Sequence, residues 1–194
     1  MARVRGMAFL GTARFLRRNH GEEMLTRVVN GAGDAARATF ETRIDGLGLY
    51  PYEAFVGVLR SADRQLGAGD LAYAAKLGEV AARSDLETIF HVYKVRPDPE
   101  MMIRGCTPIW GMYYEDAGYM EAVDTAPDRT ILRVNEFPEM DPAHCRLMEG
   151  WMIAAMDAIG VRVLPGGHET ECMSTGGRYH EFSCRWRPRA DSDA

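Results

Sequence analysis

The sequence predicts an α+β fold, with an N-terminal helical part packed against a C-terminal hairpin-helix-hairpin antiparallel sheet. Three observations predict it. The first two thirds carry apolar residues at helical spacing, punctuated by capping residues and glycines. Near Gly118 the pattern changes to alternation of apolar and polar residues. One well-capped helix then interrupts the alternation, and a helix whose apolar stripe lies between two hairpins most simply packs on one sheet.

The elements follow in order. A short helix containing Phe15 and Leu16 closes at Gly21, and Met24, Leu25, Val28 and Val29 form a stripe that ends at Asn30-Gly31. Asp34 caps a helix through Ala36 to Thr42. Pro51 suits the first turn of a helix with the stripe Phe55, Val58, Leu59, Ala62 and Leu66. Asp70 caps another, ending before Ser84. Ser84-Asp-Leu-Glu87 has capping-box spacing and predicts a new helix carrying Ile89, Phe90 and Tyr93. Asp98-Pro99 and Thr107-Pro108 each read as an N-cap followed by proline at the first helical position.

Tyr119 to Val123 and Thr130 to Val134 then alternate, joined by Ala126-Pro-Asp-Arg129, a turn composition. Asp141 caps the next helix, Pro142 starts it and Gly160 ends it, with the stripe Cys145, Met148, Met152, Ala155 and Ile159. Val161 to Leu164, a Pro165-Gly-Gly turn and a last hairpin complete the sheet. One domain over 1–186 is expected, mainly helical over 1–117 and sheet plus helix over 118–186, with a polar, disordered tail over 187–194.

Composition narrows the function. With 46% hydrophobic and 26% charged residues the 194-residue chain reads as an ordinary globular protein. A net charge of −5 argues against a general nucleic-acid binder. The longest apolar stretch, Trp151 to Met156, is too short to span a bilayer, and no signal peptide is visible, so a cytoplasmic protein is expected. Its four cysteines then read as free thiols or metal ligands.

The last hairpin, HETECMSTGGRYHEF, places Cys172 and His180 eight apart around Gly176-Gly177. Alternation puts Phe182, Cys184 and Trp186 on one face as core, and Cys172 and His180 can be ordinary residues near a turn. A sharper reading adds Cys145, which points from its helix stripe at the sheet. Two sulfurs and an imidazole suit tetrahedral zinc, which needs one more ligand. Glu169 and Glu171 are nearby, but alternation puts both on the face opposite Cys172, so either needs a bulge. His168 has the right parity but lies further from the turn.

The run Cys172-x-x-x-Gly176-x-x-x-His180-x-Phe182, with Trp186 ending the strand, resembles the closing motif of 4-vinyl-reductase-like domains, where the His180 position is usually cysteine. Cys145 followed by Gly150-Trp151, and Tyr50-Pro51 opening a middle helix, fit the same family. From Val4-Arg-Gly6 to Trp186 the chain resembles a bacterial branch of myxobacterial type. The superfamily also includes haem-nitric-oxide-binding domains, small TRAPP-complex subunits and the sensor domains of phenol-responsive activators. The resemblance implies the α+β fold and a structural zinc on Cys145, Glu169, Cys172 and His180. It disfavours haem: the propionate-gripping Tyr-x-Ser-x-Arg motif is matched by Ser183 and Arg185, but Glu181 stands where tyrosine should. His91 is the candidate axial ligand.

No nucleophile-base pair, P-loop or His-Glu-x-x-His motif is present, so no enzyme is expected. Trp110, Tyr113, Tyr114 and Tyr119 cluster after Cys106, with Phe90, His91 and Tyr93 on the preceding segment. These residues are the candidate pocket for a small apolar or aromatic ligand. The expected function is a small-molecule-binding or sensory module, homodimeric, that signals through an output protein. The alternatives are a TRAPP-like interaction or assembly protein and, more weakly, a haem-based gas sensor.

Overall fold

A computed structural model describes residues 1–165 and 168–188. The chain opens with β1 (Arg3–Arg5), followed by α1 (Gly6–Asn30). Helix α1 is broken where expected, at Gly21, whose φ of 83° glycine adopts without steric cost. Then come α2 (Asp34–Glu41), β2 (Leu49–Pro51) and α3 (Tyr52–Leu66). Asp34 is the first residue inside α2 rather than its cap, and it pairs with Arg37 one turn on.

Helix α4 (Ala72–Glu87) runs straight through Ser84, so the capping-box reading fails there. The break comes at Thr88, and the Asp85 side chain accepts from the Trp151 indole instead of serving a helix start. Short helices α5 (His91–Val95), α6 (Pro99–Arg104) and α7 (Cys106–Tyr113) follow. Asp98 caps α6 as its spacing predicts, accepting from the amides of Glu100 and Met101 at 2.9 and 3.1 Å. Thr107 does not cap α7; its hydroxyl donates to the Met120 carbonyl. Next comes β3 (Tyr114–Glu115), which pairs with β1 in a small antiparallel sheet of order β2-β1-β3 that the sequence pattern did not reveal.

The main sheet contains β4 (Tyr119–Ala126), β5 (Arg129–Asn135), β6 (Val161–Val163), β7 (His168–Glu171) and β8 (His180–Pro188). Its order is β4-β5-β8-β6, and β7 also pairs with β8. Every pairing is antiparallel. Strand β8 passes the expected boundary at Trp186, because Arg187 and Pro188 pair with Arg162 and Val161. The remaining tail residues, 189–194, and the glycines of the expected turn, 166 and 167, lie outside the described residues.

Helix α8 (Pro142–Ala158) separates the hairpins and carries the Asp141 cap, which accepts from the Ala143 amide at 2.8 Å. It crosses α4 at backbone contact. A Cβ at Gly78 would lie 1.9 Å from the Leu147 carbonyl oxygen, and one at Gly150 would lie 1.9 Å from that of Ala75. Only glycine permits this approach from both sides. The close crossing brings Cys145 towards the sheet and Trp151 towards Asp85.

Candidate metal centre and ligand cavity

The start of β8 places His180 opposite Val134, with its side chain fully buried. Its Nε2 lies 3.2 Å from the Phe137 carbonyl oxygen. A carbonyl only accepts, so Nε2 carries the proton and Nδ1 offers its lone pair inward. Three groups meet that lone pair: Cys145 Sγ at 3.4 Å, Cys172 Sγ at 3.5 Å and Glu169 Oε1 at 3.0 Å.

Each comes from a different piece of local structure. Cys145 projects from the buried face of α8. Cys172 precedes a 3-10 turn over Met173–Thr175, which Gly176 closes at φ 96°. Glu169 arrives by the bulge that alternation requires: Glu169 faces Phe182 while Glu171 faces Glu181, so Thr170 is the extra residue. The Glu169 amide is in turn held by Glu149 Oε1 at 2.7 Å, and Glu149 pairs with Arg146.

Four potential ligand atoms thus lie within 4.8 Å of one another. Tetrahedral zinc with bonds of 2.0–2.3 Å separates its ligands by roughly 3.3–3.8 Å. The contacts of 3.0–3.5 Å around Nδ1 are close to those edges. One lone pair cannot serve three hydrogen-bonding neighbours, whereas a cation at their centre serves all four. Without a cation, burial first and then Glu169 and Cys172 push the Cys145 thiol well above its usual range. The donor set and its outer hydrogen bond, His180 to Phe137, fit zinc. Among the sequence candidates, Cys145, Cys172, His180 and Glu169 converge. Glu149 and the Phe137 carbonyl were missed, because neither has a spacing signature.

A cavity of about 130 Å³ lies between α1, α4, α7, α8 and the sheet. Its walls are mostly apolar, from Phe15, Phe55, Leu132 and Phe182 among others. Trp110, Tyr113 and Tyr114 line it as the sequence suggests. Trp110 is also held by its indole N–H, which donates to the Ala117 carbonyl at 3.1 Å. Next to it lies buried His144, bonded on both nitrogens, to the Tyr52 hydroxyl at 3.0 Å and the Tyr114 hydroxyl at 2.8 Å. Burial lowers the His144 pKa to about 3, so this imidazole is neutral.

Four other pocket candidates lie elsewhere. His91 is exposed, because α5 is too short to bury a face and begins there. Tyr119 is 42% exposed, since alternation in β4 turns Met120 inward instead. Phe90 is buried behind the wall, its ring 6.2 Å from Trp151 and 6.4 Å from Tyr113. Tyr93 packs against Phe90 at 6.3 Å. Sequence reading missed Asp85, which lines the cavity and accepts from Trp151 Nε1 at 2.9 Å.

Haem can be tested against the same walls. Among the described residues no histidine lines the cavity. Its thiols, Cys106 and Cys184, are both driven upward in pKa by burial, Cys184 to about 11, so neither is a thiolate. Ser183 and Arg185 stand on the face of β8 opposite Phe182 and Cys184, and Glu181 pairs with Arg133. The residues present do not fit haem.

No protein-family model matches the chain, and no curated protein matches its sequence. Solved structures do match. An H-NOX protein from S. oneidensis in the Fe(II)NO ligation state superposes with a TM-score of 0.69 at 11% identity, covering 94% of this chain and 99% of that one. An Fe(II) unliganded H-NOX protein from K. algicida gives 0.72 at 9% identity, with 95% and 97% covered. An oxygen-binding H-NOX domain related to soluble guanylate cyclases, in its oxygen complex, gives 0.67 at 10% identity, with 96% and 95% covered. Along nearly its whole length, the chain has the α+β fold of H-NOX domains.

Proposed function

We propose that the protein is a small-molecule-binding sensory module whose last hairpin is fastened by a structural zinc ion. The observation that carries the reading is the 130 Å³ cavity between the helices and the sheet. An engineered apolar cavity of about 150 Å³ binds benzene, so this one is the size of a single ring. The fold supports a sensory role, since its solved examples include a nitric-oxide complex and an oxygen complex.

Zinc on Cys145, Glu169, Cys172 and His180 would leave no open position, which suits stability rather than catalysis. The module has no catalytic role in this reading and acts as a homodimer on an output protein. Among the described residues no helix is long and apolar enough to cross a membrane. Native mass spectrometry of protein purified without added metal tests both parts. The expected species carries one zinc per chain and, with a single-ring aromatic added, one ligand. A chain that takes up neither returns the assembly reading, in which the pocket is vestigial.

A further inference from the structure

Among the described residues that line the cavity one is charged, Asp85. Asp85 sits on α4 where the cavity meets α8, more than half buried, with Tyr113 and Trp151 beside it. Among the described residues no lysine, arginine or histidine forms an ion pair with its carboxylate. Trp151 Nε1 donates to Oδ2 at 2.9 Å. The Tyr113 hydroxyl is buried beside that carboxylate and is directed at it. A carboxylate met by two neutral groups and by no cation therefore lines the apolar space.

The Asp85 carboxylate has acceptor capacity to spare and no positive charge beside it. A neutral hydrocarbon would leave it unserved, and an anion would be repelled. A neutral hydroxyl could bond to it without supplying charge. An ammonium supplies three donors and the missing positive charge, in surroundings where aromatic rings exclude water and strengthen the attraction. Resting on the cavity reading above, we propose that this site takes a small primary amine on a single-ring body, bound as the ammonium to Asp85, whose carboxylate Tyr113 and Trp151 hold in place. Burial of the unpaired Asp85 raises its pKa, the direction that an ammonium in the site would reverse.

The mouth offers a control. Gly11 of α1 lines the cavity, and a Cβ built there meets nothing within 4 Å. Gly11→Trp therefore adds a large ring at the rim, on α1 rather than on the helix that carries Asp85.

Benzylamine, benzyl alcohol and toluene are titrated by calorimetry against the wild type, Asp85→Asn, Tyr113→Phe and Gly11→Trp. Benzylamine should bind the wild type at least tenfold more tightly than the other two. Asp85→Asn should remove that advantage while leaving toluene unchanged, Tyr113→Phe should reduce it severalfold, and Gly11→Trp should abolish all binding. Toluene or benzyl alcohol binding as tightly as benzylamine, or benzylamine indifferent to Asp85→Asn, overturns the amine assignment and leaves the cavity reading intact. If none of the three binds the folded wild type, the cavity reading fails and the assignment falls with it.

Discussion

His180 and Phe137 are joined by one hydrogen bond, from Nε2 to the backbone carbonyl at 3.2 Å, and it fixes which nitrogen faces the two sulfurs. Without it the imidazole could turn or change tautomer, and Nδ1 would carry a proton towards Cys145 and Cys172. The bond thus prepares a ligand before any metal arrives.

The first prediction concerns that metal. A site absent from the unfolded chain adds its binding energy to folding, so a strong chelator should lower the melting temperature by on the order of 10 °C. Cys172→Ala should abolish the sensitivity and His180→Ala should weaken it. Cys184→Ala, in the cavity wall, should lower stability yet keep the chelator response. Less than a tenth of an equivalent of zinc by elemental analysis would leave the four residues as an ordinary buried cluster.

The glycine crossing gives a contrast within one molecule. Gly78→Ala and Gly150→Ala each drive a Cβ into a carbonyl oxygen, and each should cost roughly 2–3 kcal/mol, or about 5–10 °C in Tm. Gly111→Ala, inside α7 with nothing within 4 Å, should instead stabilise by about 0.5–1 kcal/mol. Equal responses at the three positions, read by thermal melts, would mean that α4 and α8 are not in backbone contact.

Asp85 sets a pH dependence of known sign. Its folded pKa is raised by burial, so from about pH 4 upward the unfolded chain loses this proton before the folded one does. Its contribution to stability therefore falls as pH rises through that window. Asp85→Asn should match the wild type below pH 4 and exceed it in melting temperature at neutral pH. A difference that stays flat, or shrinks as pH rises, contradicts the assignment.

Assembly is checked by mass. A sensory module needs a route to its output, and we expect a homodimer through the N-terminal helices. Light scattering at micromolar concentration should give twice the 21.6 kDa of one chain. A value near one chain removes the stable dimer.

Much of this was legible in the sequence because the signals are local. Asp141-Pro142 and Gly160 bracket α8, and its stripe already aims Cys145 at the sheet. Cys172 and His180 could be paired because a glycine turn lies between them. Glu169 could be placed only conditionally, since a bulge is set by the pairing of two strands and not by either alone. Ser84 misled because a capping box and an exposed helical face share residue types. The β2-β1-β3 sheet was invisible: strands of two or three residues have no period to read. Asp85 carried no signal of its own in the sequence, because only the fold brings Trp151 and Tyr113 to it.

The α4–α8 crossing also decides how the cavity can change shape. Backbone pressed on backbone has no rotamers to yield, so those two helices form a stiff wall. Six methionines, Met7, Met102, Met120, Met148, Met152 and Met156, line the same space with unbranched, readily reoriented side chains. The lining is compliant where the frame is rigid. Such a site discriminates poorly by outline, because the thioethers mould themselves to the guest. Its selectivity then rests on the end of the guest that meets fixed polar atoms.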